Sequence, residues 1–95
     1  MKISQAKKDK ISEQLLAYLY SQSAKPLFTS HLALELARDE EFIKRLLKEL
    51  KGKGLIISIQ KNSHGKEYLR RVRWKLSNKA YSYYKQQQKE YIKQP

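Results

Sequence analysis

The spacing of apolar side chains changes abruptly in the segment LLKELKGKGLIISIQK, residues 46–61. Just before this segment and at its start, apolar side chains recur every three or four residues, the spacing of one face of a helix, at Ile43, Leu46, Leu47 and Leu50. Further on, residues 55–60 form a run of mostly β-branched side chains that is typical of a strand. Gly52 or Gly54 can take the left-handed conformation that ends a helix. The pattern therefore predicts a helix that passes directly into a strand.

The same helical spacing predicts two further helices before this one. The first runs from about residue 9 to residue 22, or starts earlier near Ser4, and its apolar face holds Ile11, Leu15, Tyr18 and Leu19. Pro26 then favours extended backbone, and Leu27 and Phe28 are predicted to form a very short strand. A short second helix follows, with the hydroxyl of Thr29 or Ser30 as its N-cap, and it ends near residue 38. Asp39 is the predicted N-cap of the third helix.

After the strand, the chain is predicted to turn back on itself and then form a last helix. KNSHGK, residues 61–66, has the composition of a hairpin loop, and residues 67–76 return as a second strand. Two sets alternate along it: Val72, Trp74 and Leu76 on an apolar face, and Arg71, Arg73 and Lys75 on a cationic face. Ser77 is the predicted cap of a helix that reaches about residue 93. Its seam, spaced as in a short coiled coil, is Tyr81, Tyr84, Gln88 and Tyr91.

The order of these elements predicts a winged helix-turn-helix. This is an α+β fold with a three-helix core, a β-hairpin wing and a C-terminal helix. A chain of 95 residues has the length of one domain. We therefore predict a single domain, 1–95, with a helical core over 9–54, a wing over 55–76 and a dimerisation helix over 77–93.

The distribution of charge along the chain points to a polyanionic partner. The chain has 21 basic and 9 acidic residues, a formal net charge of +12. Residues 1–43 are balanced, with six of each sign, whereas residues 44–75 carry eleven basic and two acidic side chains. Cations concentrated in one third of a chain are the electrostatic pattern of a nucleic-acid-binding surface. Lysine enrichment for solubility or heat tolerance is the alternative explanation, but neither requires the charge to be concentrated.

Composition also limits the other classes of function. Cysteine is absent, so disulfides and thiolate metal sites are excluded. The start, MKISQAKKDK, lacks the apolar core of a signal peptide, and no apolar run approaches the roughly 20 residues of a membrane span. The two histidines lie far apart, and neither a glycine-rich phosphate loop nor a metal-ligand spacing occurs. We expect a soluble, cytoplasmic, nucleoid-associated protein that is not an enzyme and has no cofactor, no metal site and no inferable small-molecule ligand.

The segment TSHLALELARDEEFIKRLLKELKGKGLI resembles the helix-turn-helix of small MarR-like and PadR-like transcription regulators. The resemblance lies in the capping Thr29, the Leu32-Ala33 pair, and Leu50 followed by Gly54-Leu55-Ile56. WKLSNKA, residues 74–80, is similar to the Leu-Thr-x-x-Gly that closes the wing in such proteins, with Ser77 in place of the threonine and Ala80 in place of the glycine. The resemblance covers about residues 10–80 and is more specific for the fold than for any subfamily.

The resemblance implies that the third helix enters the major groove of DNA while the wing contacts the backbone or minor groove. Arg45 is then the best candidate for reading a base, because a guanidinium can grip guanine O6 and N7 together. Glu40 or Glu41 either accepts from cytosine N4 or only complements the helix dipole. Ser30 and His31 either hold a phosphate through backbone amides or have no role. The full predicted DNA-binding set is Ser30, His31, Glu41, Lys44, Arg45, Lys48, Lys61, Asn62, Ser63, His64, Lys66, Arg71 and Arg73.

The seam on the last helix predicts a homodimer, because a short coiled-coil pattern is marginal unless it is buried against a partner. The alternative is that this helix folds back on its own domain. Three functions remain open at this stage. The first is a double-stranded DNA-binding transcription regulator, the second is a sequence-neutral architectural protein that coats DNA, and the third is a winged-helix module for protein contacts. The acidic Asp39, Glu40 and Glu41 at the start of the reading helix motivate the third.

Overall fold

The computed structural model describes residues 4–23, 25–60 and 72–93, with side chains as far as Gln88. The elements are α1 (Gln5–Ser21), β1 (Leu27–Phe28), α2 (Thr29–Glu35), α3 (Glu40–Gly52), β2 (Ile56–Ile59), β3 (Arg73–Leu76) and α4 (Asn78–Lys93). The three strands form an antiparallel sheet in the order β1-β3-β2. This is the predicted α+β winged helix-turn-helix.

Short polar side chains begin three of the four helices, and for α3 and α4 they are the caps that the sequence predicted. The Ser4 hydroxyl accepts from the amide of Lys7 at 3.3 Å, so α1 starts at the earlier of its two predicted positions. Asp39 Oδ2 accepts from the amide of Phe42 at 3.1 Å and begins α3. The Ser77 hydroxyl accepts from the amide of Ala80 at 3.2 Å at the start of α4. Each bond satisfies an amide that has no partner within its helix.

The predicted hydroxyl cap of α2 is wrong. The residue before the helix is Phe28, which makes no capping bond through its side chain, and Thr29 is already the first helical residue. The Thr29 hydroxyl instead accepts from the indole Nε1 of Trp74 at 2.7 Å. The indole nitrogen lies in the core and requires an acceptor, so it takes the hydroxyl away from the helix start. This bond joins α2 to the central strand of the sheet.

The helix α2 is shorter than predicted and ends at Glu35. Ala37 adopts a left-handed backbone with φ of 53°, which turns the chain from α2 into α3. The amide of Arg38 donates to the carbonyl of Ala33 at 3.0 Å and closes this turn. At the other end of α3, Gly54 has φ of 77°, so the glycine predicted to leave the helix is the second of the two candidates.

One apolar core lies between the helices and one face of the sheet. The apolar face predicted for β3 is confirmed, because Trp74 and Leu76 are buried and Val72 packs against them. Among the described residues, no polar or charged side chain is buried. The buried set is Ile11, Leu15, Leu16, Leu19, Leu32, Ala33, Ile43, Leu46, Leu47, Leu50, Ile56, Trp74, Leu76 and Ala80.

We expect Thr29→Val to lower the free energy of unfolding by about 1–3 kcal/mol, because it removes the acceptor of a buried indole N–H at nearly constant volume. Thr29→Ser is the matched control, since it keeps the hydroxyl and loses only a methyl group. Urea unfolding followed by the fluorescence of Trp74, the chain's single tryptophan, measures both variants. If the valine variant is as stable as the serine variant, the hydrogen bond contributes nothing to the fold.

Candidate nucleic-acid interface

Helix α3 has one buried face and one exposed cationic face. Its buried side chains are Ile43, Leu46, Leu47 and Leu50. At 100° per residue, Glu41, Arg45 and Lys48 fall on the opposite side, with Lys44 at its border and Glu40 closer to the buried face. All of the predicted groove-facing side chains are exposed: Glu40, Glu41, Lys44, Arg45 and Lys48. The helix therefore presents long polar side chains to solvent along one side while its other side is fixed in the core.

Charge changes sign along this exposed face. Glu40 and Glu41 lie in the first turn, where the positive end of the helix dipole favours carboxylates, and the basic side chains follow from Lys44 onward. A third carboxylate, Glu49, points toward α1 and pairs with Lys8 at 3.2 Å. Two of the acidic side chains are thus at one end and the third is engaged by another helix. The middle and the end of the exposed face are cationic.

The predicted phosphate contacts on α2 are both exposed, but one has an internal partner. The phenol of Tyr18 on α1 lies 2.8 Å from Nε2 of His31, with the two ring centroids 5.9 Å apart. Loss of hydration, and then the Glu35 carboxylate, raise the pKa of Tyr18. The phenol and the His31 ring thus share one hydrogen bond, in which the tautomer of the ring decides which of the two groups donates. Ser30 is exposed beside it.

Most of the predicted wing residues lie outside the described part of the chain. These are Lys61, Asn62, Ser63, His64, Lys66 and Arg71. Arg73 lies in β3, on the face of the sheet that points away from the helices, where it pairs across the strands with Phe28 and Ile59. Strands β2 and β3 lead into and out of the undescribed segment, and β2 follows directly from the end of α3. The segment predicted to be the wing thus begins at the strand that follows α3.

The predicted dimer seam is in contact with α1 of the same chain. The ring of Tyr20 lies 5.4 Å from that of Tyr81 and 5.6 Å from that of Tyr84, measured between centroids. The Tyr20 hydroxyl donates to Oε1 of Gln88 at 2.6 Å. Burial, and to a smaller extent the charges of Glu13 and Tyr83, raise the pKa of Tyr84. These contacts are those expected of a helix that folds back on its own domain; the side chain of Tyr91 lies outside the described residues.

An apolar groove of about 270 Å³ lies on another side of α4. Tyr83 is 60% exposed at its edge. The groove is lined by Leu16, Leu55, Lys79, Ala80, Tyr83 and Tyr84. Part of α4 thus remains available for a partner although Tyr81 and Gln88 are engaged within the chain.

Two kinds of feature are absent from the described ranges. In residues 4–23, 25–60 and 72–93, no three His, Asp or Glu side chains come close enough to hold a metal ion. Nor does any helix in these ranges combine the length and the apolar character needed to cross a membrane.

Sequence reasoning missed the residues that connect the elements. Tyr20 joins α1 to α4, and Lys8 joins α1 to α3. Neither belongs to the apolar face by which α1 was predicted, and their partners lie 68 and 41 residues away in the chain. Periodicity within a helix carries no signal for such pairs. Tyr20, directly after Leu19, could have been noticed as an aromatic side chain at the border of the core face.

The helix-turn-helix of α2 and α3, followed by a strand pair that packs on the same core, defines a winged helix-turn-helix protein. Its fold is that of MarR-family transcription regulators. A point mutant of ZitR from Lactococcus lactis superimposes with a TM-score of 0.65 at 25% identity, over 98% of this chain and 59% of that one. A structure of ZitR described as a zinc-responsive MarR family member superimposes with a TM-score of 0.62 at 22% identity, over 98% of this chain and 56% of that one. MepR of Staphylococcus aureus, a transcription regulator of the multidrug efflux pump MepA, superimposes with a TM-score of 0.61 at 20% identity. The match covers 90% of this chain and 64% of that one.

The chain spans less than two thirds of the length of these regulators. No family model matches the sequence, and no curated protein matches it. The similarity is therefore one of architecture.

Proposed function

We propose that this protein is a double-stranded DNA-binding transcription regulator. In this proposal α3 reads the major groove, and the wing between β2 and β3 clamps the backbone or minor groove. The observation that carries it is the exposed cationic face of α3, on the second helix of a helix-turn-helix. A helix about 10–12 Å across with its side chains fits the major groove of B-DNA. The fold shared with MarR-family regulators supports the same function.

Three side chains of α3 have separate roles in this proposal. Arg45 projects from the middle of the exposed face and reads guanine through two parallel hydrogen bonds. Lys44 and Lys48, which project to one flank of Arg45, neutralise phosphates along one edge of the groove. Because Glu49 is paired with Lys8, it does not oppose the phosphates. Glu41 lies one turn before Arg45 and is the carboxylate placed to accept from cytosine N4.

The proposed wing adds a sequence-independent contribution. By sequence, residues 61–71 carry four basic side chains and one acidic one. A hairpin starting beside the end of α3 can reach the adjacent phosphates while the helix occupies the groove. Contacts of this kind fix the register of the protein on the duplex without reading bases.

The proposal includes a homodimer that involves α4. Its support is the apolar groove beside α4 and the exposed ring of Tyr83 at the edge of that groove. Two copies related by a twofold axis would present two α3 helices to half-sites about 34 Å apart, one turn of DNA. Selection from random duplexes tests this part directly. A palindrome with half-sites one helical turn apart supports the dimer, whereas a single unrepeated half-site contradicts it.

The salt dependence of binding tests the DNA-binding function itself. If about six phosphates are neutralised, the logarithm of affinity should fall with the logarithm of salt concentration at a slope near −5. Electrophoretic shift of a duplex at several salt concentrations gives this slope. Absence of duplex binding at low salt, or binding that salt does not weaken, rules out the function.

A sequence-neutral architectural protein is the second candidate, favoured by the amount of basic charge in and around the wing. Both candidates share the salt slope, so a different comparison separates them. A regulator prefers its selected site over a random duplex by a factor of about 10³ or more. An architectural protein binds the two within a few-fold of each other.

A further inference from the structure

A tyrosine and a histidine form a contact between α1 and α2 at the surface of the helix-turn-helix. The phenol oxygen of Tyr18 lies 2.8 Å from Nε2 of His31, and the two rings are tilted by 32° with their centroids 5.9 Å apart. Tyr18 is half-buried and His31 is exposed. Within the described residues, the structure gives Nδ1 of His31 no hydrogen-bond partner. The contact therefore holds the ring through one nitrogen and leaves the other available to a ligand.

His31 lies in the part of the fold that meets the DNA backbone in the proposed function. When the second helix of a helix-turn-helix enters the major groove, the first helix crosses the sugar-phosphate backbone. The first helix here is α2, and Ser30 and His31 are exposed near its start. An imidazole in this place can donate its Nδ1–H to a phosphate oxygen, and the bond is stronger when the ring is charged.

The phenol of Tyr18 can keep its hydrogen bond in both charge states of the His31 ring. A neutral imidazole that carries its proton on Nδ1 accepts from the phenol at Nε2, whereas an imidazolium donates from Nε2 to the phenol oxygen. Loss of hydration, and then the Glu35 carboxylate, raise the pKa of Tyr18, so the phenol stays neutral and can both donate and accept. The ring can thus gain a proton without losing the contact that orients it.

We propose that His31, oriented by Tyr18, is a pH-dependent phosphate contact that takes up a proton when the protein binds duplex DNA. This role rests on the proposed function and adds regulation of the same site by pH. A phosphate beside the ring stabilises the imidazolium, so the complex holds more protons than the free protein and DNA together. Affinity therefore rises as pH falls through the range in which imidazoles gain their proton, between about pH 8 and pH 5.

The other ionisable groups around His31 do not supply this pH dependence. Asp, Glu, Lys and Arg side chains ordinarily keep their charges between about pH 6 and pH 8. On α2, Glu35 lies one turn after His31, and β1 carries no ionisable side chain. The residues one turn from Tyr18 on α1 are also not ionisable: Gln14, Leu15, Ser21 and Gln22. The start of α3 and the turn before it bring Arg38, Asp39, Glu40 and Lys44. Among the described residues, no carboxylate pairs with the ring.

The direct test measures affinity for a fluorescein-labelled duplex by anisotropy at about pH 6 and about pH 8, at constant cation concentration. The wild type should bind about three- to tenfold more tightly at the lower pH, the effect of one added phosphate contact. Its salt slope should also be more negative there, by up to about 1. His31→Gln should bind equally at the two pH values to within about twofold. His64→Gln is the matched control, since it removes the chain's other histidine, and it should keep the full difference.

A second pair of variants tests the role of the tyrosine. Tyr18→Phe removes only the hydroxyl that holds Nε2 of His31, so the ring is no longer oriented and the gain in affinity at the lower pH should shrink by about half or more. Tyr20→Phe is the matched control, because it removes the hydroxyl that bonds Gln88 instead. It should leave the gain unchanged. Equal gains in the two variants would reject Tyr18 as a positioning residue. Trp74 fluorescence and the thermal midpoint verify that each variant folds.

The outcomes separate this role of His31 from the DNA-binding function itself. Duplex binding by the wild type with the same affinity at both pH values overturns the role of His31 and leaves the function standing. A pH difference that survives in His31→Gln, or that disappears in His64→Gln, assigns the proton to another group and also overturns it. A wild type that binds duplex at neither pH rejects the DNA-binding function, and the role of His31 falls with it.

Discussion

Arg45→Ala should weaken binding to the selected duplex by about 1–3 kcal/mol and relax the preference at one base pair of each half-site. The arginine is exposed on α3, on the side opposite the buried Leu47 and Leu50. Removing its guanidinium deletes two parallel hydrogen bonds to guanine, which no other base can accept in the same geometry. Affinity for a random duplex should fall much less. Titrations of Arg45→Ala and the wild type with the selected duplex, and with the three duplexes that carry another base pair at that position, measure the effect.

Lys44→Ala is the matched comparison, since it removes a neighbouring cation from the same helix face. It should weaken all duplexes by a similar factor and make the salt slope less negative by about 1, as expected for a single phosphate contact. Identical behaviour of the two variants would contradict the division of roles between Arg45 and Lys44, although the DNA-binding function itself would stand.

Leu47→Ala should lower the free energy of unfolding by about 2–5 kcal/mol. The side chain is fully buried, with 0% of its surface exposed, at the point where α3 rests on the core. The loss of free energy has two parts. The removed carbons no longer contribute their transfer from water into the core, and the rigid neighbouring side chains leave a cavity unfilled. A domain this small has a total stability on the order of 5–15 kcal/mol, so the variant should melt far below the wild type. Urea and thermal unfolding, again followed by Trp74, test this.

Leu34→Ala is the control for this loss, because the same atoms are removed from a leucine that is 80% exposed. Its stability should stay within about 0.5 kcal/mol of the wild type. Leu47→Met, which conserves volume, should cost less than about 1.5 kcal/mol. If Leu47→Ala and Leu34→Ala are equally stable, the packing of α3 against the core is not as described.

The helix α3 was predictable from sequence because each of its features is local. Its apolar residues repeat at helical spacing, Asp39 stands three residues before the amide it caps, and a glycine follows its end. Such signals lie within one or two turns, and the structure confirms the buried and the exposed faces. The apolar face of Val72, Trp74 and Leu76 was likewise predictable from the two-residue period of a strand alone. In the structure, Trp74 and Leu76 are in the core and Val72 packs against it.

Features that depend on distant partners were predicted wrongly or missed. Thr29 has the right type and place for a helix cap, yet the indole of Trp74, 45 residues away, takes its hydroxyl. The tyrosine seam of α4 contacts Tyr20 of the same chain, which is the alternative that the sequence left open. The roles of the DNA-facing residues remain predictions, because exposure on a helix face identifies which side chains can reach a groove but not which bases they meet.

Ala37 has a consequence for engineering the stability of this protein. A left-handed backbone costs a residue with a Cβ atom roughly 1–2 kcal/mol, and Ala37 holds this conformation between α2 and α3. Glycine or asparagine would adopt it with less strain, whereas valine or isoleucine would oppose it. The corner that sets the angle between the two helices is thus a position where a more heat-resistant variant can be sought without touching the exposed face of α3.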